Sequence, residues 1–290
     1  MLDNKSIFTR LAIASHPKLS NGKQVAEEIV DFLKEYDVEI FYTTLDDEEL
    51  ASRIQSDQVD LLIALGGDGS MLRAGHICGP LGVPIMGINL GHFGFLMEIR
   101  QNQWSEFLPR LFQEDYWLER RMMLCAKHIR DNHDLSQWEV LNEAVIGRGK
   151  NIRPVHISTY VDNRFLTTYV ADAVIAATAT GSTAYALAAG GPILPPELRN
   201  ILLVPVAPHL SIDRAIILAE GSTVSIRVQF SHDALLSIDG QNSIHLEDDD
   251  RIDVHASEND ALFIRFQDPG YFYRNLTPHM NQNPSIGMQR

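Results

Sequence analysis

The sequence predicts an N-terminal α/β domain built as an open, Rossmann-like sheet, followed by a β-rich domain. Three observations predict it. Up to about residue 100, short unbroken apolar runs alternate with segments of helical periodicity; such runs suit parallel strands buried on both faces. Beyond residue 121, β-branched segments are separated by polar turns. The chain has 290 residues, which at roughly 100–200 residues per domain leaves room for two cores.

Arg10–Ser15 (RLAIAS) reads as the first strand. After Pro17 and Asn21-Gly22, residues 25–36 place Val25, Ile29, Val30, Phe32 and Leu33 at helical spacing. Segments 38–42, 47–54, 61–65, 70–77 and 83–89 continue the alternation, and Trp104–Phe112 reads as one helix. The β-rich part contains 124–130, Val155–Val161, 164–170, Ala173–Ala177, 223–230, Ala234–Ile238 and 261–266, with hairpin-turn chemistry at Asn163 and at Asp239-Gly240. Domain boundaries are expected at 1–118 and 119–267. The acidic run 247–250 reads as a solvated turn and the chain from Asn275 as a frayed tail.

Composition narrows the function. With 45% hydrophobic, 21% charged and 8% aromatic residues the chain is globular, and no apolar run reaches the roughly 18 residues of a membrane span. The opening MLDNKSIFTR carries an early acid and leads into no apolar segment, so a cytoplasmic address is expected. Lys+Arg 24 against Asp+Glu 38 gives a net charge of −14, which repels a phosphate backbone or an anionic lipid surface. Nucleic acid and membrane are therefore not expected as partners. Cys78 and Cys125 stand far apart with no ligand-spaced Cys or His beside them, and read as buried thiols.

Chemistry concentrates in three places. Gly66-Gly67-Asp68-Gly69-Ser70 follows an apolar strand and precedes a helical segment. At the carboxyl end of such a strand, Gly66, Gly67 and Gly69 let the backbone approach phosphate, and Ser70 could cap the helix. Asp68 would repel phosphate unless it holds a divalent cation or accepts a proton from an attacking hydroxyl, both roles in phosphoryl transfer; a plain Gly-Asp-Gly turn is the alternative. Thr178–Tyr185 (TATGSTAY) repeats the strand–turn–helix pattern, either as an anion or ribose site or as a close-packing segment. Asn142-Glu143 is a polar pair among Val140, Leu141, Ala144, Val145 and Ile146, which either braces backbone or reads a ligand. P-loop, complete G-x-G-x-x-G, nucleophile-elbow and H-E-x-x-H patterns are absent from these positions.

Together, Gly66–Gly69, Asn142-Glu143, the segment 172–192 (DAVIAATATGSTAYALAAGGP), Asp239-Gly240-Gln241 and the stretch 88–96 (INLGHFGFL) resemble the NAD kinase family over residues 8–275. The resemblance implies transfer of the γ-phosphoryl group of ATP, or of another donor, to the 2′-hydroxyl of the adenosine ribose of NAD. It implies Asp68 as proton acceptor, Gly69 as room for the nucleotide, and Asn142, Glu143, Arg153, Asp172, Thr183, Ala184, Tyr185, Ala188 and Gln241 as NAD contacts. It also implies ATP and NAD as substrates with a divalent cation, expected to be Mg2+, no assigned metal ligands, a homodimer or homotetramer, and a chain end, 268–290, that returns to the first domain. The chain departs from the family at Ala173, Ala179 and Ala188, where Gly, Pro and Ser are usual. The competing readings are a diacylglycerol- or sphingosine-type lipid kinase, which shares the GGDG segment, and a non-catalytic module that senses NAD(P)(H).

Overall fold

The computed structural model describes residues 7–281 apart from 20, 92–93, 151–152, 210, 230–232 and 242. His92 and Phe93 of the INLGHFGFL stretch, Phe230 and the last nine residues of the expected tail thus lie outside the described residues. One compact unit holds the described residues up to Arg120 together with those from Ala261 onward; Arg121–Asp260 form the other.

The first unit opens with β1 (Arg10–Ser15), α1 (Gly22–Leu33), β2 (Glu39–Thr44), α2 (Glu48–Gln55), β3 (Leu61–Gly66), α3 (Asp68–Cys78), β4 (Ile85–Asn89), β5 (Ile99–Arg100) and α4 (Trp104–Phe112). Strands β2, β1, β3 and β4 pair in that order, all parallel, and β5 lies parallel beside β4. The apolar runs of β1 and β3 are buried on both faces, as a parallel sheet between helices requires. On one face Leu11, Ile13, Ile63 and Leu65 pack with Val25, Ile29 and Leu33 of α1 and Leu108 and Leu111 of α4. On the other, Met71 of α3 crosses β4 at Gly87, where a β-carbon would come within 2.6 Å of its sulfur. Helix α2 starts at Asp47, whose carboxylate accepts the Glu49 amide at 2.9 Å.

The second unit contains β6 (Trp117–Arg130, from its fifth residue), β7 (His133–Val140), β8 (Glu143–Arg148), β9 (Val155–Val161), β10 (Arg164–Ala171), β11 (Ala173–Ala177), the short helix α5 (Tyr185–Ala188), β12 (Asn200–Val206), β13 (Ile216–Ala219), β14 (Val224–Gln229), β15 (Ala234–Ile238), β16 (Ile244–Leu246) and most of β17 (Arg251–Arg265). Antiparallel strands run β13-β12-β11-β8-β15-β16 in one sheet, and β10-β9-β14-β17 in another. Ala144, Ile146, Val174, Ala176 and Leu236 of the first face Ile157, Tyr169, Ile226, Ile252 and Val254 of the second. Each fully buried aliphatic side chain there contributes about 1.5–3 kcal/mol. The β9–β10 turn holds Asp162 and Asn163 at φ 50° and 62°, the left-handed pair that the Asn163 signal points to.

Strand β17 carries the chain back: Val254 pairs with Val224 in the second unit, and Phe263 lies parallel to Ile85 in the first. Helix α6 (Tyr271–Asn281) follows in the first unit. An α/β domain, a β-rich domain and a returning chain end are the predicted architecture.

Local readings needed correction. Residues 275–281 are helical, because Arg274 anchors the first turn of α6 to Asp268 at 2.7 Å and Asn275 bonds the Tyr271 carbonyl. The acidic run is a turn, but Asp250 is fully buried. Burial works to raise its carboxyl; bonds from Arg130, the Glu247 amide and His128 overcome this and hold it at about 2. Strands β7 and β12 were not anticipated: β7 is mostly polar and exposed, and nothing in its periodicity marks an inner face.

Candidate active site

In the first unit the site grows from the end of β3. Gly66 closes the strand, and a β-carbon there would meet the Ser70 hydroxyl at 1.9 Å, so only glycine lets the first turn of α3 fold back over the strand end. Helix α3 starts at Asp68, with Gly67 at the cap position. Ser70 is therefore not the cap; it sits inside the first turn, its buried Oγ without a hydrogen-bond partner. Side chains at Gly67 or Gly69 would meet no atom within 4 Å, so open space lies over helix amides that lack intrahelical acceptors.

Asp68 is half-buried and fixed by a distant segment. Its Oδ2 accepts the Phe95 amide at 2.7 Å and its Oδ1 the Leu96 amide at 3.0 Å. Gly94 is needed for this approach, since a β-carbon there would lie 2.1 Å from Oδ2. The clasp is itself braced, because the Leu96 carbonyl accepts from buried Arg265 at 2.9 Å and Arg265 pairs with Glu119 at 2.7 Å. Glu98 accepts the amides of Phe266 and Gln267 at 3.1 and 2.6 Å; burial pushes its carboxyl up, against the pull of Arg265. Both oxygens of Asp68 keep a second lone pair for a proton.

In the second unit Asn142 and Glu143 stand where β8 begins. Three successive amides, of Leu141, Asn142 and Glu143, donate to the carboxylate of Asp239 at 2.7, 2.8 and 2.7 Å, and the Asp239 amide returns a bond to the Glu143 carbonyl. Asp239 and Gly240 hold φ of 46° and 70°, so the turn is shaped to present that carboxylate. The Asn142 carbonyl accepts the Thr178 amide and lies so near Gly181 that a β-carbon there would sit 2.2 Å away. What remains of the pair is its tips: Asn142 Oδ1 and Glu143 Oε2 are buried without a hydrogen-bond partner. Burial first, and the neighbouring Asp239 charge second, push the Glu143 carboxyl up to about 8, although the Tyr185 amide bonds it.

The hydroxyls of TATGSTAY turn mostly inward. Thr178 donates to the Leu141 carbonyl at 2.6 Å and accepts the Gly181 amide at 3.0 Å. Ser182 bonds Ala179 and Leu194, Thr183 donates to the Thr180 carbonyl at 3.1 Å, and Thr180 accepts from Arg121 at 3.2 Å. They brace the turn that holds Asn142. The helix that follows this turn is short: a 3-10 turn covers Gly181–Thr183 and α5 has four residues, so Ala188 ends the helix.

Family models described as ATP-NAD kinase N-terminal domain and ATP-NAD kinase C-terminal domain match residues 16–116 and 141–266. An NAD kinase of Chloroflexus aurantiacus is 35% identical over 277 residues, 96% of this chain and 100% of the relative. The chain belongs to the NAD kinase family. It is a phosphotransferase of that family. Among solved structures, a yeast NADH kinase complexed with NADH superposes with a TM-score of 0.84 at 24% identity, covering 97% of this chain and 90% of that one, a likeness of fold. An NAD kinase from Archaeoglobus fulgidus in complex with ATP gives 0.75 at 25% identity, covering 93% and 98%.

The remaining positions implied by NAD kinase resemblance lie in the second unit. Asp172 is half-buried and paired with Arg148 at 3.0 Å. Ala173 faces Gly147, where a β-carbon would come 2.9 Å from its methyl, so a glycine across the strand pair makes room for the departure at 173. Ala179 is packed in the core beneath β11, while Tyr185, Ala188, Arg153 and Gln241 are exposed and Thr183 and Ala184 half-buried. Sequence reading took Asp239 only as a turn residue and Gly94 only as part of the stretch 88–96, and assigned no role to Arg265 or Glu98. A glycine 26 residues past Asp68, a carboxylate at Asp239 96–98 residues from its amides and one at Glu98 168–169 residues from its own leave no local signal.

Proposed function

We propose that the chain transfers the γ-phosphoryl group of ATP to the 2′-hydroxyl of the adenosine ribose of NAD. The reading is carried by the two buried, unpartnered oxygens of Asn142 and Glu143, since such atoms cost about 1–3 kcal/mol each unless a ligand satisfies them. Asn142 Oδ1 is suited to accept from a ribose hydroxyl or an amide of NAD. Glu143, protonated below about pH 8, can donate as well as accept.

Asp68 takes the proton of the attacking hydroxyl. Its oxygens are held by two amides, so no side-chain reorganisation is needed as the proton moves. Gly67 and Gly69 leave the helix start open to the donor's phosphates. Among the described residues, no group of three His, Cys, Asp or Glu side chains could hold a metal ion. A magnesium ion arriving on the donor's phosphates would neutralise charge on the transferring group, and no protein ligand is assigned to it. Arg153, Asp172, Thr183, Ala184, Tyr185, Ala188 and Gln241 would complete the NAD contacts, and a homodimer or homotetramer is the proposed assembly. Among the described residues no helix is long and apolar enough to cross a membrane.

Incubating the protein with NAD, ATP and magnesium should yield NADP, with the new phosphate at the 2′ position by phosphorus NMR. Absence of NADP under those conditions overturns the reading.

A further inference from the structure

A second depression opens within the first unit, further along the segment that clasps Asp68. Glu98, Arg100, Gln103, Gln267, Tyr271 and Arg274 border a cavity of about 450 Å3, within the range of small-ligand sites. Its lining, which Asn275 completes, is unusual for a chain of net charge −14: two guanidinium groups, three carboxamides and a phenol. The one carboxylate among these residues, Glu98, is engaged by the amides of Phe266 and Gln267. At the rim Arg274 is held by Asp268 through two bonds, at 3.0 and 2.7 Å, both side chains remaining exposed.

The cavity neighbours the proposed base. Leu96 donates to Asp68, and Glu98 and Arg100 follow it by two and four residues, at most about 13 Å of extended chain. Burial first, with the charges of Glu98 and Asp68, pushes the Tyr271 hydroxyl up to about 12 against the pull of Arg265 and Arg100, so it stays a hydrogen-bond donor at neutral pH. Guanidinium forks match phosphate oxygens in bidentate geometry, and carboxamides and a phenol add neutral donors.

We propose that this cavity binds a condensed phosphate chain, the part of the phosphoryl donor that stays behind after transfer. The inference deepens the kinase reading by assigning donor-side residues. In the transfer, the bond between the terminal phosphorus and its bridging oxygen breaks, and a bond from phosphorus to the 2′-oxygen forms. The hydroxyl proton passes to Asp68, and the bridging electron pair leaves with the shortened phosphate chain, whose added charge faces Arg100 and Arg274.

The test is calorimetric titration with tripolyphosphate and with ADP, alongside KM for ATP and for NAD. Arg100→Gln and Arg274→Gln should each weaken tripolyphosphate binding about tenfold and raise the KM for ATP by a similar factor, with the KM for NAD within about twofold. Asp268→Asn should act oppositely, tightening tripolyphosphate two- to threefold by releasing Arg274. ADP binding tighter than tripolyphosphate would identify a nucleotide donor, and the reverse an inorganic polyphosphate; either supports the site. Unchanged tripolyphosphate binding in both arginine variants overturns it, as does weaker binding in Asp268→Asn, which would make the pair a helix brace. The titrations need no turnover, so they report on the cavity even if no NADP is formed.

Discussion

Asp68 in the first unit and Asn142-Glu143 in the second are both positioned by bonds between a carboxylate and successive backbone amides, yet the arrangement is reversed. At Asp68 the clasped carboxylate is the proposed proton acceptor, and the amides of Phe95 and Leu96 are its support. At the pair, the carboxylate of Asp239 is the support, three amides are clasped, and the side-chain tips are left unsatisfied. The first arrangement is complete before any ligand arrives, as suits a group that must not reorganise during transfer. The second is incomplete, as suits groups whose partners are supplied by the ligand.

Changing one member at a time separates these roles. The largest effect is expected from Asp68→Asn, which keeps the size and much of the clasp but removes proton-accepting power: kcat should fall about 10²–10⁴-fold with nucleotide binding retained, measured by NADP formation and by calorimetry. Near-normal kcat would return Asp68 to a purely structural role. Asp239→Ala should come next. It strands three amides at once, so unfolding free energy should drop by about 3 kcal/mol in urea titrations and NAD affinity should fall with it. If NAD affinity alone survives, Asp239 does not shape the pair.

Glu143→Gln tests the incomplete site through pH. Burial and the Asp239 charge push the folded carboxyl up to about 8 from its ordinary value of 4.5. Between those values the folded state keeps a proton that the unfolded chain has lost, so stability declines as pH rises through this window. The Gln variant lacks that slope. Its stability advantage should grow from near zero at pH 4 to on the order of 5 kcal/mol at pH 9, read by urea unfolding at several pH values. A constant difference would mean that Glu143 titrates normally. Asn142→Ala should raise the KM for NAD about tenfold while changing stability little, because Oδ1 has no partner to lose within the protein. A large stability loss with unchanged KM would make the residue a brace. The smallest effect belongs to Ala188→Ser. At the exposed end of α5, one added hydroxyl should tighten NAD about twofold by calorimetry, and weaker binding would indicate an apolar contact there.

The TATGSTAY turn shows where local reading stops. Its glycine and hydroxyls look like the GGDG turn on paper, and both follow a buried strand. In the fold, Thr178, Ser182 and Thr183 spend their hydroxyls on backbone carbonyls, and α5 is only four residues long, whereas α3 has eleven. A hydroxyl bonds whichever acceptor is nearest, and that depends on where β8 runs, not on the residues beside it.

Sequence by itself determined the parallel α/β unit, the change to β-rich structure, the left-handed turns at Asn163 and Asp239-Gly240, and the carboxylate set among glycines. Each follows from interactions within a few residues: apolar periodicity, backbone freedom, and side chains too short to reach far. Tertiary structure decided what those residues are for. Phe95 and Leu96 reach Asp68 across 27 and 28 positions, Arg265 reaches Leu96 across 169, and Asp239 reaches Leu141 across 98. Bonds of that span form only after two cores have collapsed and brought distant strands together, because loop closure must be offset by burial before any single hydrogen bond contributes.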